Sequence, residues 1–536
     1  MDDKKIFELE ACGILALAGE KVQAEEILTA GNSFFDKSYF GTRVLVLAPH
    51  PDDEINIAGN MILALAAAKA EIFVAYSTDG GLEVPAEVRA QEAIDALKIL
   101  GVPREKIIFM GYGDGQKLSE QIRENLKRDL KNLLLELRAN IIFCVDFDSH
   151  PDHRVLSILF EEALGEILSE RRDYRPEVYK KLAYATAFTA APDFYAPNLR
   201  ATKKPKLGET DTYDFDLIDR ANYIWENRVR FPIIHFQPIL KGNPIAEAIF
   251  AHKSQRNEWN ALRIINSDEI FFERRTDSQT FSAQIWATSG DASRVRDFKI
   301  FSPDNLWQPT DDERKIFFEW AEAIQVRRIV IYGNIFDEKS ARLELKLELD
   351  SAQATINKGG IYLDNVKNFS AKLPSRGRPL IIDTEKIFVK RAELCVSEAG
   401  KNFGLSEVEF FANSEPLSKI TPFIKLTAKD NFIYDYAVPY EVDKISLGLY
   451  RFHADSEVKI TATAGDENIL SEIMDGDEII LNFGKETEII VTAEVIGTEI
   501  YDRVIIRRVG DFAQIQLKVW QWLDKLRVHK IRKVDR

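Results

Sequence analysis

Apolar residues follow two rhythms along this chain, and the rhythm changes near residue 277. Before that point, short branched runs at 43–48, 71–77, 106–111 and 140–146 read as buried strands. Longer stretches at 54–70, 84–101 and 118–138 have helical composition. A helix between each pair of strands predicts a parallel sheet with crossover connections. The pattern continues with a helix over 155–171 and a strand over 181–187. Residues 194–219, rich in proline and polar turn formers, read as a long loop beside the site. Residues 5–30 have helical composition and precede the first strand.

After residue 277 short alternating strands are broken by Gly, Asn, Asp and Pro, and the same texture runs on from 415 to 510. In the tail, Phe512, Ile515, Val519, Trp522 and Leu526 recur at spacings of three and four, an amphipathic helical stripe. These shifts divide the chain into a helical extension at 1–40, an α/β unit at 41–275, two β-modules at 277–413 and 415–510, and a basic helix at 511–536.

A chain of 536 residues is too long for one ordinary core. The net charge of −15 argues against a nucleic-acid partner, which needs basic surface to neutralise phosphates. Cys12, Cys144 and Cys395 are far apart, with no CxxC, and read as thiols of a reducing compartment. No signal peptide or membrane span is evident, so a cytoplasmic protein is expected.

The chemistry concentrates in two turns. The run 44–48 ends in Pro49-His-Pro-Asp-Asp-Glu54, and the run 140–146 is soon followed by His150-Pro-Asp-His153. The chain has seven histidines, so three in two such turns point to a shared site. His50 and Asp53 are ligand types that suit zinc. Asp52 lies between them, close enough to take a proton from a metal-bound water. A plain helix cap would account for Asp52 to Glu54, but not for His50 or the second cluster.

The two motifs resemble the signature pair of the PIG-L/LmbE family of metal-dependent deacetylases. The resemblance extends through Ser77-Thr-Asp-Gly-Gly81, Arg89 and Glu92, Leu100-Gly-Val102, Met110-Gly-Tyr-Gly-Asp114 and Ala251-His-Lys-Ser-Gln255. It implies a Rossmann-like parallel sheet flanked by helices. It also implies that His50, Asp53 and His153 bind a metal, zinc or another divalent ion such as Fe2+. Asp52 would act as general base, His150 would stabilise the oxyanion, and Asp152 would orient a histidine. Arg89 would reach the substrate sugar, although it also fits a solvated ion pair with Glu92. Asp114 fits either a turn former or a contact to sugar hydroxyls. Relatives often carry a glycine or an aromatic where this chain has Asp148-Ser149. His252 is expected to be structural or to support a ligand. Tyr223, Trp225, Arg228 and Arg230 suit an acceptor cleft or ordinary packing.

The order of strands from Phe281 to Phe411 resembles a discoidin-like, galactose-binding-like β-sandwich, and 415–510 suggests a second, smaller sandwich. The expected activity is removal of the acetyl group from an N-acetylated sugar or glycolipid during glycoconjugate or surface-polysaccharide synthesis. The alternatives are a glycan-binding protein with an inactive deacetylase fold, and a metal-dependent hydrolase of another small amide or ester. The basic end of the tail fits docking on a β-domain, a homo-oligomer contact, or peripheral contact with the inner membrane face.

Overall fold

The computed structural model describes residues 39–510 and position 515. Internal gaps interrupt it, the longer ones being 184–227, 232–242, 256–268, 415–422 and 429–436. The expected helices at 5–30 and, apart from the exposed Ile515, 511–536, the loop at 194–219, and Tyr223, Trp225, Asp148 and Ser149 lie outside the described residues.

The first unit is built from apolar runs that need burial on both faces. Strands β1 (Arg43–Ala48), β2 (Glu71–Thr78), β3 (Ile107–Tyr112), β4 (Ile141–Val145) and β5 (Glu177–Lys181) pair in parallel. Helices α1 (Asp53–Ala67), α2 (Ala86–Ile99), α3 (Glu120–Leu137) and α4 (Pro151–Glu170) are the crossovers. Two further strands, β6 (Arg228–Phe231) and β7 (Glu269–Arg274), with helix α5 (Pro244–Ala251) between them, complete a sheet of order β3-β2-β1-β4-β5-β7-β6.

Two expectations change here. The sheet is mixed, not wholly parallel, because β7 runs antiparallel to both β5 and β6 at one edge. A strand is found at Glu177–Lys181, just ahead of the one expected at 181–187, of which residues 182 and 184–187 lie outside the described residues. The Glu177–Tyr179 part went unread, and the two consecutive lysines that end it rarely occur in a buried strand.

The strand order reverses between β1 and β4. Chain from β1 passes outward to β2 and β3, then returns to place β4 on the other side of β1. The carboxyl ends of β1 and β4 therefore flank the crevice where open α/β sheets hold their ligands.

Beyond β7 the chain is β-rich. Strands β8 (Gln284–Ala287), β9 (Lys315–Gly333), β10 (Ala341–Leu349), β13 (Val366–Leu373), β14 (Leu380–Glu398) and β15 (Leu405–Phe411) form one six-stranded sheet. Two-residue strands β11 (Ile356–Asn357) and β12 (Gly360–Ile361) pair separately. Register shifts between β9 and β14 bend these two long strands, so that one sheet wraps its own core around Trp307, Phe318 and Trp320. In the next unit, β16 (Phe423–Ala428), β18 (Lys444–Phe452) and β21 (Glu478–Asn482) form one sheet. β17 (Ala437–Pro439), β19 (Val458–Ala464), β20 (Glu467–Met474), β22 (Glu488–Val495) and β23 (Tyr501–Val509) form another. Alternate residues such as Val458, Ile460 and Ala462 fill a core of their own.

The bent sheet is docked on the first unit. Phe281 and Phe298 join the hydrophobic cluster of the α/β unit. Arg274 donates to the Phe298 carbonyl at 2.7 Å and stacks over its ring, while the Phe298 N–H donates to Glu407 at 3.1 Å. Helix α4 lies so close that a Cβ on Gly165 would meet the Asp297 carbonyl at 2.9 Å.

Candidate metal centre and active site

Each half of the cluster stands on a strand-to-helix turn at the switch point. After β1, the turn His50–Asp53 closes with a backbone bond from Asp53 to the His50 carbonyl. After β4, His150 caps helix α4 and Pro151 occupies its first turn, where a missing N–H is no loss. His50 and Asp152 are 102 positions apart, yet their side chains meet at 3.2 Å.

Asp53 is fully buried, and its Oδ2 lies 3.0 Å from His50 Nδ1 and 3.2 Å from His153 Nε2. Its Oδ1 has no hydrogen-bond partner among the described residues. Burial raises the Asp53 carboxyl, but His153 and His50 outweigh it and hold the group well below the usual carboxylate range. Donors about 2.0–2.1 Å from a tetrahedral zinc stand about 3.3 Å from one another, and both separations from the Asp53 oxygen suit that spacing; the ring nitrogens of His50, His150 and His153 also lie within 4.8 Å of one another, as do donor atoms of His50, Asp114 and Asp152. A buried carboxylate oxygen with nothing to accept is a second mark of fit.

The far edge of the His50 ring is held as a ligand histidine's usually is. His50 Nε2 lies 3.0 Å from Asp114 and 3.2 Å from Asp152. Asp114 is pushed up by burial but drawn down by His50, to a net value of about 2. The structure thus puts Asp114 against a candidate ligand rather than in a detached turn. His150 stands at the edge, its ring centroid 4.6 Å from that of His153. Its Nδ1 accepts the Asp152 N–H at 3.3 Å, which leaves Nε2 to carry the ring proton. Burial, then His153 and His50, lower its pKa, so the ring is neutral near pH 7.

Asp52 is buried and adopts φ 144°, ψ −24°, a backbone region that favours glycine. It starts helix α1 without a side-chain cap bond, so the simple capping account does not apply. Burial, then Asp53, raise its carboxyl to about 7, against the opposing pull of Arg89. Arg89 is itself buried. One of its amino groups donates to Asp52 at 3.0 Å and to the Pro51 carbonyl at 2.5 Å. The other donates to the Gly80 carbonyl at 3.3 Å. Gly80, at φ 63°, permits this approach: a Cβ there would lie 3.1 Å from the guanidinium.

Glu54 and His252 were not predicted as partners. Glu54 accepts the Asp52 N–H at 2.8 Å with one oxygen, and the other lies 2.8 Å from His252 Nε2. On α2, Glu92 accepts both the Ser254 N–H at 2.9 Å and the Ser254 hydroxyl at 2.6 Å. It therefore does not pair with Arg89 on a solvated face. A buried group below the site was also missed: Lys180 lies 3.2 Å from Asp146 and contacts Ser157 and Glu161. The available signal was a lysine pair interrupting an apolar strand.

Residues 45–164 match the family model described as PIG-L: GlcNAc-PI de-N-acetylase. The chain is 28% identical over 123 residues to the Bos taurus N-acetylglucosaminyl-phosphatidylinositol de-N-acetylase, covering 22% of this chain and 48% of that protein. It is 28% identical over 159 residues to a probable N-acetyl-alpha-D-glucosaminyl L-malate deacetylase 2 of Bacillus anthracis, covering 27% of this chain and 66% of that protein. It therefore spans about half the length of the first relative and just under two thirds of the second. A solved structure of the N,N'-diacetylchitobiose deacetylase from Pyrococcus horikoshii is 19% identical, with a TM-score of 0.28, covering 48% of this chain and 94% of that one. The stretch that matches the PIG-L deacetylase family, β1 through most of α4, is the stretch that brings together His50, Asp52, Asp53, Arg89, Asp114, His150, Asp152 and His153.

Proposed function

We propose that this protein is a metal-dependent N-deacetylase that acts on an N-acetylated sugar or glycolipid. The observation that carries the reading is the buried Asp53 carboxylate between His50 and His153, with 3.0 and 3.2 Å separations, inside the stretch that matches the deacetylase family. His50, Asp53 and His153 would hold the ion, with zinc as the expected metal. When bound, a divalent ion lowers the pKa of water and polarises an amide carbonyl.

The remaining steps belong to the chain. Asp52 takes the proton of the attacking water and delivers it to the leaving amine. A carboxyl near neutrality suits both transfers, and burial raises Asp52 to about 7. His150 presents a neutral N–H, through Nε2, toward the oxygen that gains charge. Asp152 and Asp114 hold the His50 ring, and Asp152 also fixes the His150 tautomer through its backbone N–H.

Arg89 is engaged with Asp52 and two carbonyls, which favours positioning the base over gripping a sugar. A glycan role for the β-modules, a cytoplasmic setting and a place in glycoconjugate synthesis remain part of the proposal. Among the described residues no helix is long and apolar enough to cross a membrane.

The test is acetate release from a panel of N-acetylated sugars by the protein as purified, after chelation, and after zinc is restored. Release that is lost on chelation and regained with zinc supports the reading. One equivalent of bound zinc with no release from any sugar moves the reaction to another amide or an ester. Neither metal nor release returns the chain to glycan binding.

A further inference from the structure

The backbone at Asp52 lies in a region that favours glycine, and it is held by one local and one remote contact. A residue other than glycine at φ 144° is strained, and such a conformation is sustained only where surrounding contacts over-determine it. Two contacts reach Asp52 from opposite sides. Arg89 holds its carboxylate at 3.0 Å, and Glu54 holds its N–H at 2.8 Å.

Neither contact stands alone. Glu54 is fixed by His252 at 2.8 Å. His252 follows α5, and two residues later Ser254 donates twice to Glu92. Glu92 lies on α2, three positions after Arg89. The bonds therefore run in a closed circuit: Asp52 to Arg89, along one turn of α2 to Glu92, to Ser254, to His252, to Glu54 and back to Asp52. Every side chain in it except those of Glu92 and Ser254 is buried. Helix α5, which packs on α1 and α2, delivers His252 and Ser254 from outside residues 45–164, the span of the family-model match.

We propose that the Ala251–Gln255 segment is a clasp that holds the general base in its reactive geometry, with His252 as a positioning residue acting through Glu54 and Ser254 acting through Glu92. This rests on the proposed deacetylase mechanism for its catalytic consequence. The clasp itself is a claim about the backbone at residue 52. It explains why a carboxylate that must carry a proton between two atoms sits on a backbone unsuited to its side chain. The fold fixes that backbone from three helices at once.

The experiment compares His252→Ala, His252→Gln and Ser254→Ala with the full-length wild type, in two readouts. The first is hydrogen–deuterium exchange of the peptide spanning 48–57. The second is kcat and KM on the best acetylated sugar, with metal stoichiometry alongside. His252→Ala should speed exchange in the peptide and lower kcat by about 10- to 100-fold, as loss of an outer partner does. KM and the bound metal should stay as in the wild type. His252→Gln, which keeps a donor toward Glu54, should restore most of kcat and protection, and Ser254→Ala should shift both readouts in the same direction by less.

Wild-type exchange and kcat in both His252→Ala and Ser254→Ala would overturn the clasp, as would a rise in KM with kcat unchanged. If His252→Ala fails to fold, Ser254→Ala, which removes one hydroxyl, decides alone. If the wild type hydrolyses none of the sugars, the deacetylase reading fails while the exchange arm still judges the clasp.

Discussion

The Arg89 guanidinium lies 3.0 Å from the Asp52 carboxylate, buried with it beneath the β1 turn. Burial and Asp53 raise Asp52 to about 7, and Arg89 works against them. A base must be ionised to act, so activity climbs with pH through its pKa. Removing the cation in Arg89→Met removes a force that lowers that pKa. The acid limb of the kcat/KM profile should therefore move to higher pH, and Arg89→Lys should move it less. An unshifted limb in Arg89→Met would show that Asp52 is not the group that titrates there.

Asp52 and Asp53 are neighbours with opposite expectations. Asp53→Asn should abolish stoichiometric metal binding, because it removes the charge between His50 and His153. Asp52→Asn should retain one metal per chain and lose about 10²–10⁴ in turnover, the span of a general acid–base contribution. Metal content by elemental analysis beside initial rates separates the two. A metal-free Asp52→Asn protein would exchange their roles.

Asp114 touches His50 Nε2 at 3.0 Å. If His50 is a ligand as proposed, Asp114→Asn should weaken metal affinity by about 10- to 100-fold, the usual effect of losing a partner behind a ligand histidine. Competition with a chromophoric chelator measures this without a substrate. If affinity is unchanged and only KM rises, Asp114 serves a sugar hydroxyl.

Glu409 is buried at the junction of the bent sheet and the α/β unit, with Arg274 at 3.9 Å. Burial pushes its carboxyl up to about 7, against the pull of Arg274 and Arg275. A carboxyl whose folded pKa is raised holds a proton that the unfolded chain has lost. Between about pH 4.5, the usual value, and about pH 7, stability therefore falls as pH rises. Glu409→Gln lacks this slope. Relative to the variant, the wild type should lose on the order of 3 kcal/mol between pH 4 and pH 8, read from denaturant midpoints. Parallel pH curves for the two proteins would sink the assignment.

The legible part of the fold was the part with clean periodicity. Helices expected at 54–70, 84–101 and 118–138 lie at Asp53–Ala67, Ala86–Ile99 and Glu120–Leu137, because each stretch has helical composition between two strand-like runs. The antiparallel β7 was not legible, since pairing direction depends on the route of the chain and leaves no local mark. The grouping of His50, Asp53, His150, Asp152 and His153 followed from two like turns after two like strands. The partners of Glu54 and Arg89 did not. They depend on which helices neighbour the turn, and His252 is 198 positions from Glu54. Lysines 180 and 181 carried no signal of a buried role in the sequence, yet each is buried against acids from other elements.

Because β1 and β4 are neighbours only after two intervening strand–helix units have been laid down, neither His-Pro-Asp turn is a site by itself. A nascent chain has His50 and Asp53 without His153 beside them until Ile141–Val145 pairs with Val44–Leu47. The proposed donor set is thus a record of completed topology, and a metal that binds it selects molecules in which β4 has already paired with β1. Free metal should raise the unfolding midpoint of this unit in proportion to the logarithm of its concentration, coupling the supply of the ion to the lifetime of the fold.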